Sequence, residues 1–263
     1  MELKGLVDIG ANLAHDSFHA DFDTVLRHAW QAGLDAIVVT GSSFDSNTKA
    51  LELARRHPGK LYATAGVHPH HASEWDEAHA AQIRELAQHP EVVSLGECGL
   101  DYNRNFSPHD AQQRAFRAQL DIAAETGKPL FLHQRDAHGD FLAILSEYRA
   151  RLGAVVVHCF TDTPAAMQDY LALDCHIGIT GWVCDERRGK SLFDAVHAIP
   201  DDRLLIETDA PYLLPHNAPK TPNRRNEPAM LPWVVKALAL ARHQSEEHVA
   251  RVSAENARRF FGL

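Results

Sequence analysis

The feature that most constrains this chain is an eight-fold recurrence of short apolar, β-branched runs separated by stretches of helical period. The runs are Leu6–Leu13, Ala36–Thr40, Leu61–Val67, Val92–Leu95 continuing through Gly96-Glu97-Cys98-Gly99, Leu130–His133, Ala154–His158, His176–Thr180 and Leu204–Thr208. Runs of this length and composition read as strands buried on both faces. Between them, Ser107–Thr126 carries an apolar stripe at Ala111, Ala115, Leu120 and Ile122-Ala123 and stops at Gly127, a residue suited to the left-handed position that ends a helix. Asp16–Ala32 reads as a helix stopped by Gly33, and Thr163–Leu173 as one opened by a Thr cap with Pro164 at its first position. Strand–helix alternation repeated eight times defines an α/β fold, a (β/α)₈ TIM barrel. The 263 residues suit one such barrel, typically about 250 residues, so residues 1–263 are expected to form a single domain. A doubly wound open sheet is the alternative. It usually has fewer strands and often a Gly-rich phosphate turn after the first strand, and Asp8-Ile9-Gly10-Ala11-Asn12 is not that fingerprint.

Composition narrows the function classes. A formal net charge of −9 argues against a passive DNA-coating protein, whose affinity comes from a basic surface. It leaves room for an enzyme that handles nucleic acid locally, because a divalent cation and a few arginines reverse the field inside one cleft. Met1-Glu2-Leu3-Lys4 does not open a signal peptide, and no apolar run approaches the roughly 20 residues of a membrane span. The expectation is a soluble, cytoplasmic monomer. Cys98, Cys159, Cys175 and Cys184 form no Cys-x-x-Cys pair and read as free thiols.

Barrels of this type carry their chemistry at the carboxyl ends of the strands. Here those ends hold Asp8 and Asn12, then His68-Pro69-His70, Glu97 with Asp101 beyond it, His133-Gln134-Arg135-Asp136, His158, and Glu207-Thr208-Asp209. One histidine after an apolar strand is commonly a satisfied core or surface residue. Three strands ending in His and two in a carboxylate, all directed at one mouth, would be costly to bury without a purpose. A cation satisfies them together. Neighbours along a strand face opposite sides. If Glu97 and His158 point into the barrel, Cys98 and Cys159 therefore face the helices, while Glu207 and Asp209 share a face opposite Thr208.

These residues together resemble the TatD family of metal-dependent deoxyribonucleases. The resemblance runs over essentially the whole chain, through Thr64-Ala65-Gly66-Val67-His68-Pro69-His70, Gly96-Glu97-Cys98-Gly99-Leu100-Asp101, His133-Gln134-Arg135-Asp136, His158-Cys159-Phe160-Thr161, Gly178-Ile179-Thr180-Gly181-Trp182-Val183-Cys184 and Ile206-Glu207-Thr208-Asp209-Ala210-Pro211-Tyr212-Leu213. The run from Gly178 to Gly189 looks like the bacterial members. The resemblance implies an amidohydrolase-like barrel in which Glu97, His133, His158 and Asp209 serve the metal, with Glu97 able to bridge two ions. Many relatives open with Asp-x-His-x-His on the first strand. Here Gly10 and Asn12 stand at the two imidazole positions. One well-held ion at Glu97–His133–His158 is therefore expected, with a weaker, oxygen-lined position suited to Mg²⁺ or Mn²⁺ more than Zn²⁺.

The implied chemistry is phosphodiester hydrolysis of single-stranded DNA, and of RNA, from the 3′ end. Asp209 is expected to orient or deprotonate the attacking water, His68 to contact the scissile phosphate, and Glu207 to orient a neighbouring ligand. Arg135, Arg104, Arg187, Arg188 and Arg225, with Lys220 and Arg224, lie in loops of the same face and are the expected substrate contacts. Trp182 and Tyr212 are candidates for stacking on bases. Barrels of this type host many substrates, so a hydrolase of another ester or amide, such as a lactonase or deacylase, is the competing reading. A non-catalytic binding protein is disfavoured by the intact ligand set.

Overall fold

The computed structural model describes residues 3–220 and 224–263. Met1 and Glu2, which begin the run Met1-Glu2-Leu3-Lys4, and residues 221–223 of the proline-rich segment lie outside the described residues. Each apolar run becomes a strand: β1 Leu6–Ala11, β2 Leu34–Val39, β3 Leu61–Ala65, β4 Val92–Asp101, β5 Leu130–Arg135, β6 Val155–Val157, β7 His176–Ile179 and β8 Leu204–Ile206. The helices are α1 Phe22–Gln31, α2 Phe44–Arg56, α3 Glu77–Leu86, α4 His109–Thr126, α5 His138–Tyr148, α6 Pro164–Ala172, α7 Lys190–Ala195, α8 Leu231–Arg242 and α9 Glu246–Phe261. All neighbouring strands pair in parallel, in the order β1 to β8. The ring closes at its carboxyl mouth, where Asp209 N donates to Gly10 O at 2.8 Å and Asn12 N to Ala210 O at 2.7 Å. The fold is a (β/α)₈ TIM barrel.

Side-chain alternation divides the apolar residues into two layers. Val7, Ile9, Ala36, Val38, Val93, Phe131, Val156 and Leu205 form one buried cluster with Ala254, Ala257, Phe260 and Phe261 of α9. Their neighbours Leu6, Ile37, Val39, Leu130, Leu132, Val155, Val157, Leu204 and Ile206 belong to the other cluster, under the helices. The barrel interior is thus packed side chain, and α9 plugs its lower end, with Asn256 Nδ2 donating to Leu204 O (2.9 Å) at the start of β8.

Local chemistry sets the helix bounds. Thr163 accepts from Ala166 N at 3.2 Å and Pro164 opens α6, as its sequence requires. Gly127 ends α4 at φ 70°. The helix expected over Asp16–Ala32 is divided: a 3₁₀ turn Asp16–Phe18, with His15 accepting from Ser17 N, precedes α1. Asp21 precedes α1 but gives it no side-chain cap, because its carboxylate is held by Arg225 at 2.6 and 2.9 Å. No helix among the described residues is long and apolar enough to cross a membrane.

Candidate metal centre

Three imidazoles converge on one buried carboxylate oxygen. His158 Nε2 lies 2.8 Å, His133 Nδ1 3.0 Å and His68 Nε2 3.3 Å from Glu97 Oε1. Each comes from a different strand or the turn after it: Glu97 within β4, His133 within β5, His158 one residue past β6, and His68 three residues past β3. The possible ligand atoms of His68, Glu97 and His133 lie within 4.8 Å of one another. His68, read from sequence as a substrate contact, therefore sits in the ligand cluster itself.

Two further carboxylates hold the rings from behind. Asp101 Oδ2 is 3.2 Å from His133 Nε2 and 3.0 Å from His70 Nε2. Glu207 Oε2 is 3.3 Å from His158 Nδ1, and its Oε1 accepts from Cys159 N at 2.6 Å. A carboxylate on the far nitrogen fixes ring orientation and raises basicity, the usual support for a metal-binding histidine. Glu207 stands in that relation to the His158 ring. Asp101 performs the same task for His133, which sequence reading left unassigned.

The electrostatics follow from burial and proximity. Burial raises the Glu97 pKa, but the charges of His68 and His158 and hydrogen bonds from His133 and His158 overcome it and hold the carboxyl well below the usual range. Burial lowers that of His158, yet Glu97 and Glu207 carry it well above the ordinary histidine value. Burial wins at His68, pushed down to about 4. Asp209 is pushed up to about 7, mainly by burial, and Asn12 Nδ2 donates to its Oδ1 at 3.0 Å. The cluster thus brings the carboxylates of Glu97, Glu207 and Asp209 together with three imidazoles in a largely buried space. A divalent cation fits this donor set, because it neutralises the carboxylates while leaving the imidazoles neutral.

Gly10 has a positive function here. A Cβ at Gly10 would stand 2.5 Å from Glu207 Oε2 and 2.7 Å from Phe131 Cζ, and one at Gly178 2.7 Å from Glu207 Oε1. Two glycines therefore make the slot for the fully buried Glu207 carboxylate. There is no room for an imidazole at position 10. Asp8, at the same mouth, accepts from Thr208 N (2.9 Å) and Thr208 Oγ1 (2.5 Å) and so fixes the turn bearing Asp209.

The alternation argument holds for Cys98, which joins the helix-facing core, and fails for Cys159. β6 ends at Val157 and Cys159 has φ 44°, so its Sγ lies 3.6 Å from Thr180 Oγ1 instead of facing the helices. Burial and the carboxylates of Asp209, Glu207 and Glu97 push this thiol up.

The candidate substrate arginines separate into two groups. The loops after β4 and β7 are built alike. Asp101 Oδ1 accepts from Asn103 N and Arg104 N, and Asp185 Oδ1 from Arg187 N and Arg188 N. Arg104, Arg187 and Arg188 are exposed; Arg188 Nε also donates to Asp185 Oδ2 at 2.6 Å and its guanidinium lies over Trp182 at 4.5 Å, with Arg135 5.9 Å from the same ring. Arg225 departs from the expectation. Its guanidinium bonds Asp21 and Glu227 (2.7 Å) and ties the segment after β8 to the start of α1.

Fold and site together define a (β/α)₈ barrel with a buried histidine–carboxylate cluster able to hold a cation at its carboxyl mouth. The TatD related DNase family matches residues 7–262, and the chain belongs to that family. It is 49% identical over 259 residues to the 3′-5′ ssDNA/RNA exonuclease TatD of Erwinia tasmaniensis, covering 98% of this chain and 100% of the relative. A TatD family hydrolase from Entamoeba histolytica superposes with a TM-score of 0.90 at 26% identity, covering 99% of both chains. A TatD homologue from Escherichia coli K12 superposes with a TM-score of 0.90 at 26% identity, covering 98% of both.

Proposed function

We propose that this chain is a divalent-metal-dependent 3′-5′ exonuclease acting on single-stranded DNA and RNA, working as a cytoplasmic monomer folded as one domain over residues 1–263. The observation that carries the reading is the convergence of His68, His133 and His158 on Glu97 Oε1, in a chain that matches its exonuclease relative end to end. Glu97, His133, His158 and Asp209 would hold the cation, with His68 joining the set. Mg²⁺ is the proposed working ion at the Glu97 and Asp209 carboxylates, and Mn²⁺ and Zn²⁺ compete for the imidazole side. When bound, such an ion supplies a low-pKa water and a Lewis acid for the phosphate oxygens.

The chain's own groups do the rest. Asp209, in the turn that follows β8 and beside Asn12, would orient the attacking water or take its proton. Asn12 and Asp8 hold it in position. Glu207 and Asp101 fix His158 and His133. Arg104, Arg135, Arg187 and Arg188 supply positive charge to the phosphates of the incoming strand.

The test is digestion of end-labelled single- and double-stranded DNA and RNA in Mg²⁺, Mn²⁺, Zn²⁺ or EDTA. Single strands should shorten from the 3′ end in Mg²⁺ and survive EDTA. Asp209→Asn should melt like the native protein and cleave about 10²-fold more slowly or worse. Failure to cut any oligonucleotide with any ion, combined with hydrolysis of lactones or N-acyl substrates, would transfer the site to the other ester and amide hydrolases.

A further inference from the structure

Exposed large apolar side chains are few among the described residues: Phe44, Phe106, Tyr212 and Leu240. Phe106, 65% exposed, stands in the loop after β4, at the mouth of the site. It is held there by the loop and not displaced by fraying. Before it, Asp101 Oδ1 fixes the backbone N–H groups of Asn103 and Arg104 at 2.9 Å. After it, the buried Ser107 donates to His70 O at 3.0 Å and accepts from Ser73 N at 3.0 Å.

The ring of Phe106 meets His70 edge-on, with centroids 4.7 Å apart at 85°. His70 meets His68 at 4.2 Å, and His68 meets His133 at 4.5 Å. An unbroken run of rings therefore leads from an open aromatic face in solvent to the imidazoles around Glu97. Arg104, two residues before Phe106, is also exposed. One exposed ring is ordinary on a protein surface; what distinguishes Phe106 is its ring-to-ring continuity with the imidazoles of the site. A π-face beside a cation matches a nucleobase and its phosphate.

We propose that Phe106 is the stacking platform for an unpaired nucleobase of the strand being degraded, with Arg104 meeting a neighbouring phosphate. In a duplex both faces of each internal base are covered by its neighbours. A duplex offers an open face only at its outermost pair, and that base is still held by its partner, whereas a single strand can swing any end-proximal base onto Phe106, so the platform favours single strands over duplexes. This inference rests on the nuclease reading above.

The test compares native protein with Phe106→Ala, Phe106→Leu and Phe106→Trp on end-labelled single-stranded DNA in Mg²⁺ or Mn²⁺. Substrates carry one tetrahydrofuran abasic residue at the terminal, second or third position from the 3′ end. Ala and Leu should raise KM roughly tenfold or more with kcat little changed, and Trp should restore it. Leu keeps the apolar bulk, which separates loss of the aromatic face from loss of packing. One abasic position should raise KM for native protein and be silent in Phe106→Ala, because the two changes remove the same contact. If native protein cleaves no oligonucleotide, the nuclease reading falls and takes this inference with it. If native protein cleaves and Ala leaves KM unaltered, or every abasic effect persists in Ala, the platform alone is overturned.

Discussion

At the scale of single residues, the most informative position is one with no side chain. Gly10 reads in the sequence as a lost imidazole, and a zinc site rebuilt there would require His. The space is instead filled by Glu207 and Phe131, each closer than 3 Å to any Cβ at position 10. Neither neighbour can withdraw cheaply. Glu207 is fully buried and bonds His158 and Cys159 N, and Phe131 lies in the barrel interior. Gly10→Ala should therefore destabilise the protein by roughly 1–3 kcal/mol, the usual range for overpacking. It should also disturb the Glu207–His158 pair and weaken cation binding. Thermal melting with and without Mn²⁺ measures both effects. A variant that melts and binds like the native chain would show that the Glu207 slot is deformable.

At the scale of elements, the same helix that supplies the outer layer beside β4 also aims the site. Gln112 and Gln119 of α4 are seven residues apart, hence on one face, and both are buried. Gln119 accepts from Val67 N at 2.7 Å and donates to Val67 O at 3.1 Å, fixing the residue before His68. Gln112 does the same for Asp101, accepting from its N–H at 2.8 Å and donating to its carbonyl at 2.9 Å. Gln119→Met keeps the volume and leaves two buried backbone groups unpaired. It should cost about 1–3 kcal/mol and, by loosening His68, lower cation affinity. A chemical denaturation midpoint and a Mn²⁺ titration check the two parts, and unchanged values in both would remove the clamp from the account. The strands and the convergence of His133 and His158 on Glu97 were legible in the sequence because period, composition and the strand-end rule are local signals. The supports were not. Gln112 and Gln119 interrupt an apolar stripe and look like surface positions, and their partners lie 11 and 52 residues away. Asp101 carries no mark that distinguishes it from a loop aspartate until His133 is placed beside it. Cys159 was misplaced because alternation was extended past the end of β6 into a left-handed residue.

For the whole molecule, the barrel separates chemistry at one end from stability at the other, and His176 belongs to the second. It begins β7, opposite Val156 of β6, and its ring meets Phe260 of α9 at 5.1 Å. Its Nδ1 is buried without a hydrogen-bond partner. Burial, and then the charge of Arg203, push its pKa down to about 4, although Asp174 acts in the opposite sense. An unfolded histidine titrates near pH 6.5. Between about pH 6.5 and 4 the unfolded chain therefore takes up a proton that the folded chain refuses, so stability falls as pH drops through that window and is unaffected above it. At pH 5 the loss should be on the order of 1–2 kcal/mol, or about 2–6 °C in Tm for a domain of this size. Leucine at this position cannot titrate and leaves no orphaned nitrogen against Phe260. The drop in Tm between pH 7.5 and pH 5 should accordingly be smaller in His176→Leu than in the native protein. Other acids and histidines, His68 included, titrate in both proteins, so the difference between the two drops isolates this one ring. Equal drops would mean that His176 reaches solvent or a partner when it takes its proton, and that the plug formed by α9 opens more readily than its packing implies.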